Sequence, residues 1–362
     1  MNYDAWLCSI PGLYWNMHAK LIEIFGSSEG VFEASGEELD RLEKAGLKWI
    51  GKVRSCRKER FIRSFADELA RKKIRFISAS EKGFPPLLSQ IKDCPLGLFY
   101  KGRLPSADEK LAAVVGARAC TPYGNRMAAK IASRLAREGY GIISGMALGI
   151  DGIAQKAAVE EGGKSYGVLG CGADICYPPE NIGLYTSLYS NGGVISEFPC
   201  GTGPMPFHFP FRNRIISGMA RAVIVIEARK KSGSLITADL ALEQGRDVYA
   251  LPGRVGDPLS EGCNILISQG SSIISSVEDL IFEMTGKEPA KESTQAIPEE
   301  AVSSLSGEQR IVWDRIGNDP AGPEELSFRT GIPIPRLGRI LTQLQMMDLI
   351  VYTPGSRYMR KQ

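Results

Sequence analysis

From Leu111 onward the chain repeats one alternation: a short run that is apolar nearly throughout, then a longer stretch whose apolar positions recur every three or four residues. The short runs are LAAVVGA (111–117), YGIISG (140–145), SYGVLGCG (165–172), GGVISEF (192–198), AVIVIEA (222–228) and DVYALPG (247–253). A strand with no polar alternation is one whose two faces are both covered, as in a parallel sheet between helices. The intervening helical stretches fall at 123–138, 150–161, 212–219 and 234–244. The pattern predicts a doubly wound α/β core, with ligands held beyond the C-terminal ends of its strands.

The flanks read differently. Residues 1–76 contain no comparable strand run; AWLCSI, MHAKLIEIFG, SGEELDRLEKAG and a basic stretch at 58–72 predict short helices joined at Gly12, Gly26 and Gly46. LEKAGLKWIGK resembles a helix-hairpin-helix turn, so this region is predicted to be a small helical domain of SAM- or helix-hairpin-helix-like type. The α/β core is expected at 77–285. At 286–304 the periodicity stops, which predicts a linker. Within 305–362, GEQRIVWDRI, PEELSFRTG and PIPRLGRILTQLQMMDLI followed by IVYTPGSRYMR outline a winged-helix domain. Its third helix carries Arg336 and Arg339 as its cations, leaving DNA or a protein surface as its partner.

A length of 362 residues fits two or three such units, and 43% hydrophobic with 23% charged residues is a soluble globular balance. The net charge of +3 says little, but residues 41–75 hold thirteen Lys or Arg against four acids. That segment is either a set of solvated helix faces or a basic surface. Eight cysteines are scattered without a CxxC pair, which suggests a reduced, cytosolic setting. Two histidines are too few for a histidine-rich metal centre, and neither a metal nor a cofactor is expected. The N-terminal residues lack a signal-peptide pattern, and no run approaches the roughly 20 apolar residues of a bilayer span. A cytoplasmic protein without membrane contact is expected.

The candidate chemistry lies in the loops after the strands. VVGARACTPYG offers Gly116 for close approach, Arg118 as a planar fork of donors and Thr121 as a helix cap. ISGMALGID offers the amides of Gly145 and Gly149 before Asp151, and EARKKSGSLITADLALEQG sets Ser232, Gly233, Ser234 and Thr237 at another helix start. A rim of amides, hydroxyls and guanidinium groups suits phosphates. HFPFRNRIISGMA adds Arg212, Asn213 and Arg214 at the predicted start of an apolar helix, where cations are unfavourable unless an anion sits among them. Pairing with Glu197 or Glu227 is the competing fate of these arginines. Phe207, Phe209 and Phe211 beside His208 either stack bases or anchor the segment in the core. The chain has neither GxxxxGK[ST] nor GxGxxG, no Ser-His-Asp set, and no histidine base for Cys171, so the rim is read as built to hold a ligand.

Six motifs, VVGARACTPYG, SGMALGIDGIAQKAA, VLGCGADICYPPEN, ISEFPCGTGPMPFHFPFRNRIISGMA, VIEARKKSGSLITADLALEQGRDVYALPG and GCNILISQG, stand in one order across about 110–270. In these the chain resembles the DNA-processing protein A family (DprA, also called Smf). The resemblance implies an extended Rossmann-like core that binds single-stranded DNA, protects incoming strands during natural transformation and helps load the RecA recombinase, without catalytic turnover. It implies Arg118 as a principal phosphate contact, with Arg212, Asn213 and Arg214 lining the same pocket. It also implies a homodimer, sought around ILISQGSSII with Ile267 and Ile273 as contacts. Three positions depart from the family pattern. Pro179 stands where many relatives have a basic residue, so that contact is missing or supplied by Lys230 or Lys231. Gln155 replaces a histidine found in others, and Phe211 replaces a residue that is sometimes basic. The alternative is a nucleotide-processing enzyme similar to the nucleoside-monophosphate phosphoribohydrolases. It would use Glu243 as the catalytic group and Arg118 or Arg229 on the phosphate, although the loop is not the PGGxGTxxE of those enzymes.

Overall fold

In β3 (Leu111–Val115) the odd-numbered side chains join one apolar layer and the even-numbered ones another. Leu111, Ala113 and Val115 pack with Ile215, Ile216, Met219 and Ala238, while Ala112 and Val114 pack with Ile131, Leu135, Ile150 and Ala154. Successive side chains point to opposite faces of a strand, so a run apolar throughout is stable only when helices cover both.

The computed structural model describes residues 2–287, 302, 305–317, 320–347, 349–353 and 356–361. Its contacts form two compact units, Met1–Gly286 and Lys287–Gln362. The first begins with α1 (Tyr3–Cys8), α2 (Trp15–Phe25), α3 (Ser28–Glu33), α4 (Gly36–Lys44), α5 (Ile50–Cys56) and α6 (Glu59–Lys72). Ser35 and Glu38 close a capping box on α4, and Gly26 ends α2 in the left-handed conformation at φ 79°. The indole of Trp6 donates to the Cys56 carbonyl at 2.8 Å and closes this module on itself. Lys72 pairs with Asp174 at 2.7 Å, and Phe65 meets Phe99 at 5.8 Å, so the helices pack into the same body as the sheet. The division expected at 76 therefore marks a change from helix to strand and not a gap between bodies.

The sheet comprises β1 (Arg75–Ser78), β2 (Gly97–Gly102), β3, β4 (Gly141–Ser144), β5 (Ser165–Leu169), β6 (Gly192–Ser196), β7 (Ala222–Val225), β8 (Asp247–Ala250) and β9 (Ser272–Ile273). Among the described residues its order is β1-β2-β6-β5-β4-β3-β7-β8-β9. All pairs from β6 to β9 are parallel, while β2 runs antiparallel to β6, and β1 to β2. Its helices are α7 (Pro122–Arg137), α8 (Ile150–Glu160), α9 (Ile182–Asn191), α10 (His208–Met219), α11 (Gly233–Glu243), α12 (Glu261–Ser268) and α13 (Val277–Thr285). The six strands expected from the sequence are present, each lying within its apolar run. The antiparallel strands β1 and β2 and the two-residue parallel strand β9 are additions to that set, and α10 starts four residues before the expected 212.

In the second unit, helices at Gly307–Arg315, Pro323–Thr330 and Ile334–Met346 enclose Val312, Leu326, Leu337, Leu341 and Leu344, beside a hairpin of Ile350–Thr353 with Arg357–Arg360. This is the winged-helix outline. On the third helix Arg336 pairs with Glu308 at 2.8 Å and Arg339 is exposed. Apart from Gly286, Lys287 and Val302, the expected linker lies outside the described residues. No described helix is long and apolar enough to cross a membrane.

Candidate nucleic-acid interface

Helices leave β3 and its neighbours in opposite directions, and the strand order reverses between β3 and β7. Such a reversal opens a crevice at the C-terminal strand ends. A pocket of about 550 Å³ lies here. Its walls come from the loops after β3, β4, β5 and β7 and from α10.

On the β3 side, Arg118 is exposed, has no ion pair among the described residues, and holds its guanidinium 5.6 Å from the Phe209 ring. Gly116 allows that turn, since a Cβ there would press on Ile150 and the Glu227 carbonyl. The Glu227 carboxylate accepts from the Thr121 amide at 2.8 Å and from the Thr121 hydroxyl. It therefore serves the N-terminus of α7, where a carboxylate is favoured, and is not an arginine partner.

On the opposite wall, Ser232 caps α11; its hydroxyl accepts from the Ser234 amide at 3.4 Å and lies 2.7 Å from the Ser234 hydroxyl. Gly233 and Thr237 line the same wall, so the positive end of α11 faces the pocket. Lys231 also lines it and is exposed. Lys230, equally exposed, stands beside it outside the lining.

Arg212 forms the floor. Only 5% exposed, it donates to the carbonyls of Gly145 at 2.8 Å and of Val168. Burial pulls its pKa down to about 10, with Asp151 opposing, so it remains cationic at neutral pH. Asp151 is buried as well; burial raises its pKa, against the pull of Arg212 and of its amide donors. The Gly145 amide donates to Asp151 at 3.0 Å and is not open to a ligand. Gly145 is instead a spacer, since a Cβ there would run into the Arg212 guanidinium. Gly149, at φ 74°, packs against the carbonyls of Ala117 and Arg118 and faces a separate cleft between α8 and α9. The sequence suggests both glycines as amide donors, and the geometry assigns them instead to backbone packing. Asn213 lines the pocket and donates to the Gly233 carbonyl at 3.2 Å, tying α10 to α11.

Arg214 is a correction. Residues two apart on a helix point to different sides. Arg214 turns away from the pocket to Glu197 at 2.8 Å and Asp93 at 3.2 Å, with Trp15 at 5.8 Å, and is 2% exposed. Because α10 begins at His208, neither arginine sits in its first turn. Phe211 is a further correction: half-buried, it stacks on Tyr14 at 6.2 Å and 17°. The aromatic side chains that line the pocket are Phe209 and Tyr177, 5.6 Å apart. Tyr177 lies in the YPPEN motif, but nothing in its spacing singles it out.

Gln155 is buried, accepting from the Met146 amide at 3.1 Å and donating to the Tyr166 carbonyl at 2.9 Å. Burial raises the Cys171 thiol to about 12, which leaves it protonated. Glu243 ends α11, about 15 Å along the axis from Gly233, and is absent from the lining. The phosphoribohydrolase reading thus has its acid at the wrong end of the helix. Ile273 is 49% exposed on β9, and Ile267 is half-buried against the core.

Residues 75–285 match the family described as DNA recombination-mediator protein A, and residues 296–356 match the DprA winged helix domain. The DNA processing protein DprA of Streptococcus pneumoniae is 41% identical over 289 residues, covering 78% of this chain and 98% of the relative. Protein Smf of Escherichia coli is 38% identical over 284 residues, covering 77% and 75%. The X-ray structure of the pneumococcal protein superposes with a TM-score of 0.65 at 36% identity, over 78% of this chain and 98% of that one. A structure of DNA processing protein A from Helicobacter pylori, which concerns its single-stranded DNA binding mode, gives 0.53 at 28% identity, over 59% and 97%.

Proposed function

Because the chain belongs to the DNA recombination-mediator protein A family, we propose that it binds single-stranded DNA in the pocket at the β3–β7 crevice, protects incoming strands during natural transformation and helps load the RecA recombinase on them. The observation that carries this reading is the pairing of Arg118, exposed and without an acidic partner among the described residues, with a wall of Lys231, Ser232 and Ser234 at the α11 N-terminus. Two phosphate-seeking walls face each other across a floor whose cation, Arg212, is held in place by carbonyls. Phe209 and Tyr177 give the bases apolar faces without selecting among them. Holding without cutting fits this chemistry, since Cys171 stays protonated and Glu243 is remote.

In this reading the protein works in the cytoplasm as a homodimer, with Ile267 and Ile273 at the contact; Ile273→Glu should then yield a monomer by light scattering. Binding is dominated by phosphates, so it is steeply salt-dependent and nearly indifferent to base sequence. The test is a titration of labelled oligonucleotide at two salt concentrations. Hydrogen bonds to charged groups contribute about 1.5–3 kcal/mol, so Arg118→Ala should weaken binding by roughly ten- to a hundredfold while leaving the melting temperature unchanged. Unchanged affinity in the folded variant removes the pocket from consideration.

A further inference from the structure

Pro206 is the lining residue that ends the pocket before α10, and the next residue, Phe207, is 44% exposed outside the lining. The Phe207 ring meets Tyr14 edge-on at 5.9 Å, so the aromatic surface passes from the core to the loop between α1 and α2. Two residues back in that loop lies Gly12, in the left-handed region at φ 73°. A side chain added at Gly12 would come within 2.6 Å of the Lys52 ammonium, which places that cation over the loop. Lys52 stands in the first turn of α5, and Lys48 in the connection just before it.

Some cations of this module are held by acids and others are not. Arg54 pairs with Asp40, Arg63 with Glu59 at 2.6 Å, and Lys72 with Glu68 at 2.5 Å and Asp174 at 2.7 Å. Lys48, Lys52, Lys58 and Arg60 are exposed and take part in no ion pair among the described residues. Unpaired like charges on one small module repel each other, and a polyanion relieves that repulsion while releasing its own counterions.

We infer that the helical module carries a second stretch of the strand-binding surface, with the DNA that leaves the pocket crossing Phe207 and Tyr14 onto Lys52 and Lys48. This extension rests on the reading of the pocket as a single-strand site. Aromatic faces combined with unpaired cations are what a sequence-tolerant strand groove requires, and the order here is ring, ring, ammonium. The pocket then grips a few nucleotides, and the module sets how much longer the occupied strand is.

Two thymidine oligonucleotides, of about 5 and about 20 nucleotides, separate the two stretches, since single folds cover roughly 4–16 nucleotides. Lys48→Ala combined with Lys52→Ala should bind the short oligonucleotide as the unaltered protein does and the long one more weakly. Each phosphate of a single strand that a lysine neutralises adds about 0.7 to the steepness of log K against log salt, so for the long oligonucleotide the alanine pair should flatten that slope by about 1.4. Arginine at both positions should restore affinity and slope. The extension is overturned if the alanine pair binds the long oligonucleotide normally with an unchanged slope, or weakens both lengths equally. Arg118→Ala in the same assay reads the pocket alone: if it leaves the short oligonucleotide unaffected, the pocket reading fails whatever the lysines do.

Discussion

Arg214 donates to the buried carboxylate of Glu197 at 2.8 Å, and this pair sets the division of labour on α10. The arginine two residues earlier floors the pocket, while this one anchors the helix to the loop after β6. Removing one partner of a buried pair strands the other charge, at a cost of about 3–5 kcal/mol. Arg214→Ala should therefore lower stability by about that amount in denaturant unfolding, and the folded fraction should bind single-stranded DNA almost normally. A large loss of affinity with unaltered stability would return Arg214 to the pocket.

Gly145→Ala tests the floor. The added Cβ meets both the Arg212 guanidinium and the Asp151 carboxylate, so Arg212 must move from the carbonyls that hold it. Affinity should fall at least as far as in Arg118→Ala, with a drop in melting temperature that Arg118→Ala does not show. The pair of titrations and melts distinguishes a displaced cation from a missing one.

The two phenylalanines should behave oppositely. Phe209 lines the pocket beside Tyr177 and Arg118, so Phe209→Ala should cost about 1–3 kcal/mol of binding, the range for a lost base stack. Phe211 packs on Tyr14, so Phe211→Ala should mainly destabilise the seam between helices and core. Fluorescence titration alongside thermal melting reads both effects.

His18 gives the fold a pH dependence. It is 3% exposed, and burial pushes its pKa down to about 4 from the ordinary 6.5, the Leu7 carbonyl opposing only in part. Between those values the unfolded chain takes up a proton that the native protein refuses. Stability is then full above pH 6.5 and declines as pH falls towards 4, by on the order of 3 kcal/mol for this group. His18→Gln should flatten that part of the profile in denaturant titrations at pH 7.5, 5.5 and 4.5.

Much of the site is legible in the sequence because loop chemistry follows strand ends. Gly116, Arg118 and the Ser232–Thr237 wall can be read from their positions after apolar runs and before helices. Phe209 and Tyr177 are harder, since stacking on a base and packing in a core ask for the same ring. The fates of Arg212 and Arg214 depend on where α10 begins; its start at His208 follows no capping residue, for Phe207 makes no side-chain cap bond. Strands β1 and β2 escape a reading of the pattern because Arg75 and Lys101 interrupt the apolar run towards the sheet edge.

By itself the sequence determined the parallel core, its two covered faces, the winged-helix outline and the phosphate-seeking loops, because each is a local pattern of burial or of turn chemistry. Only the tertiary structure decided which cations are open. Glu197 and Asp93 reach Arg214 from distant elements, and a charge paired across the fold looks in the sequence the same as a charge that waits for a ligand. The unpaired lysines of the helical module stand out for the same reason, once Asp40, Glu59 and Glu68 are seen to hold other cations.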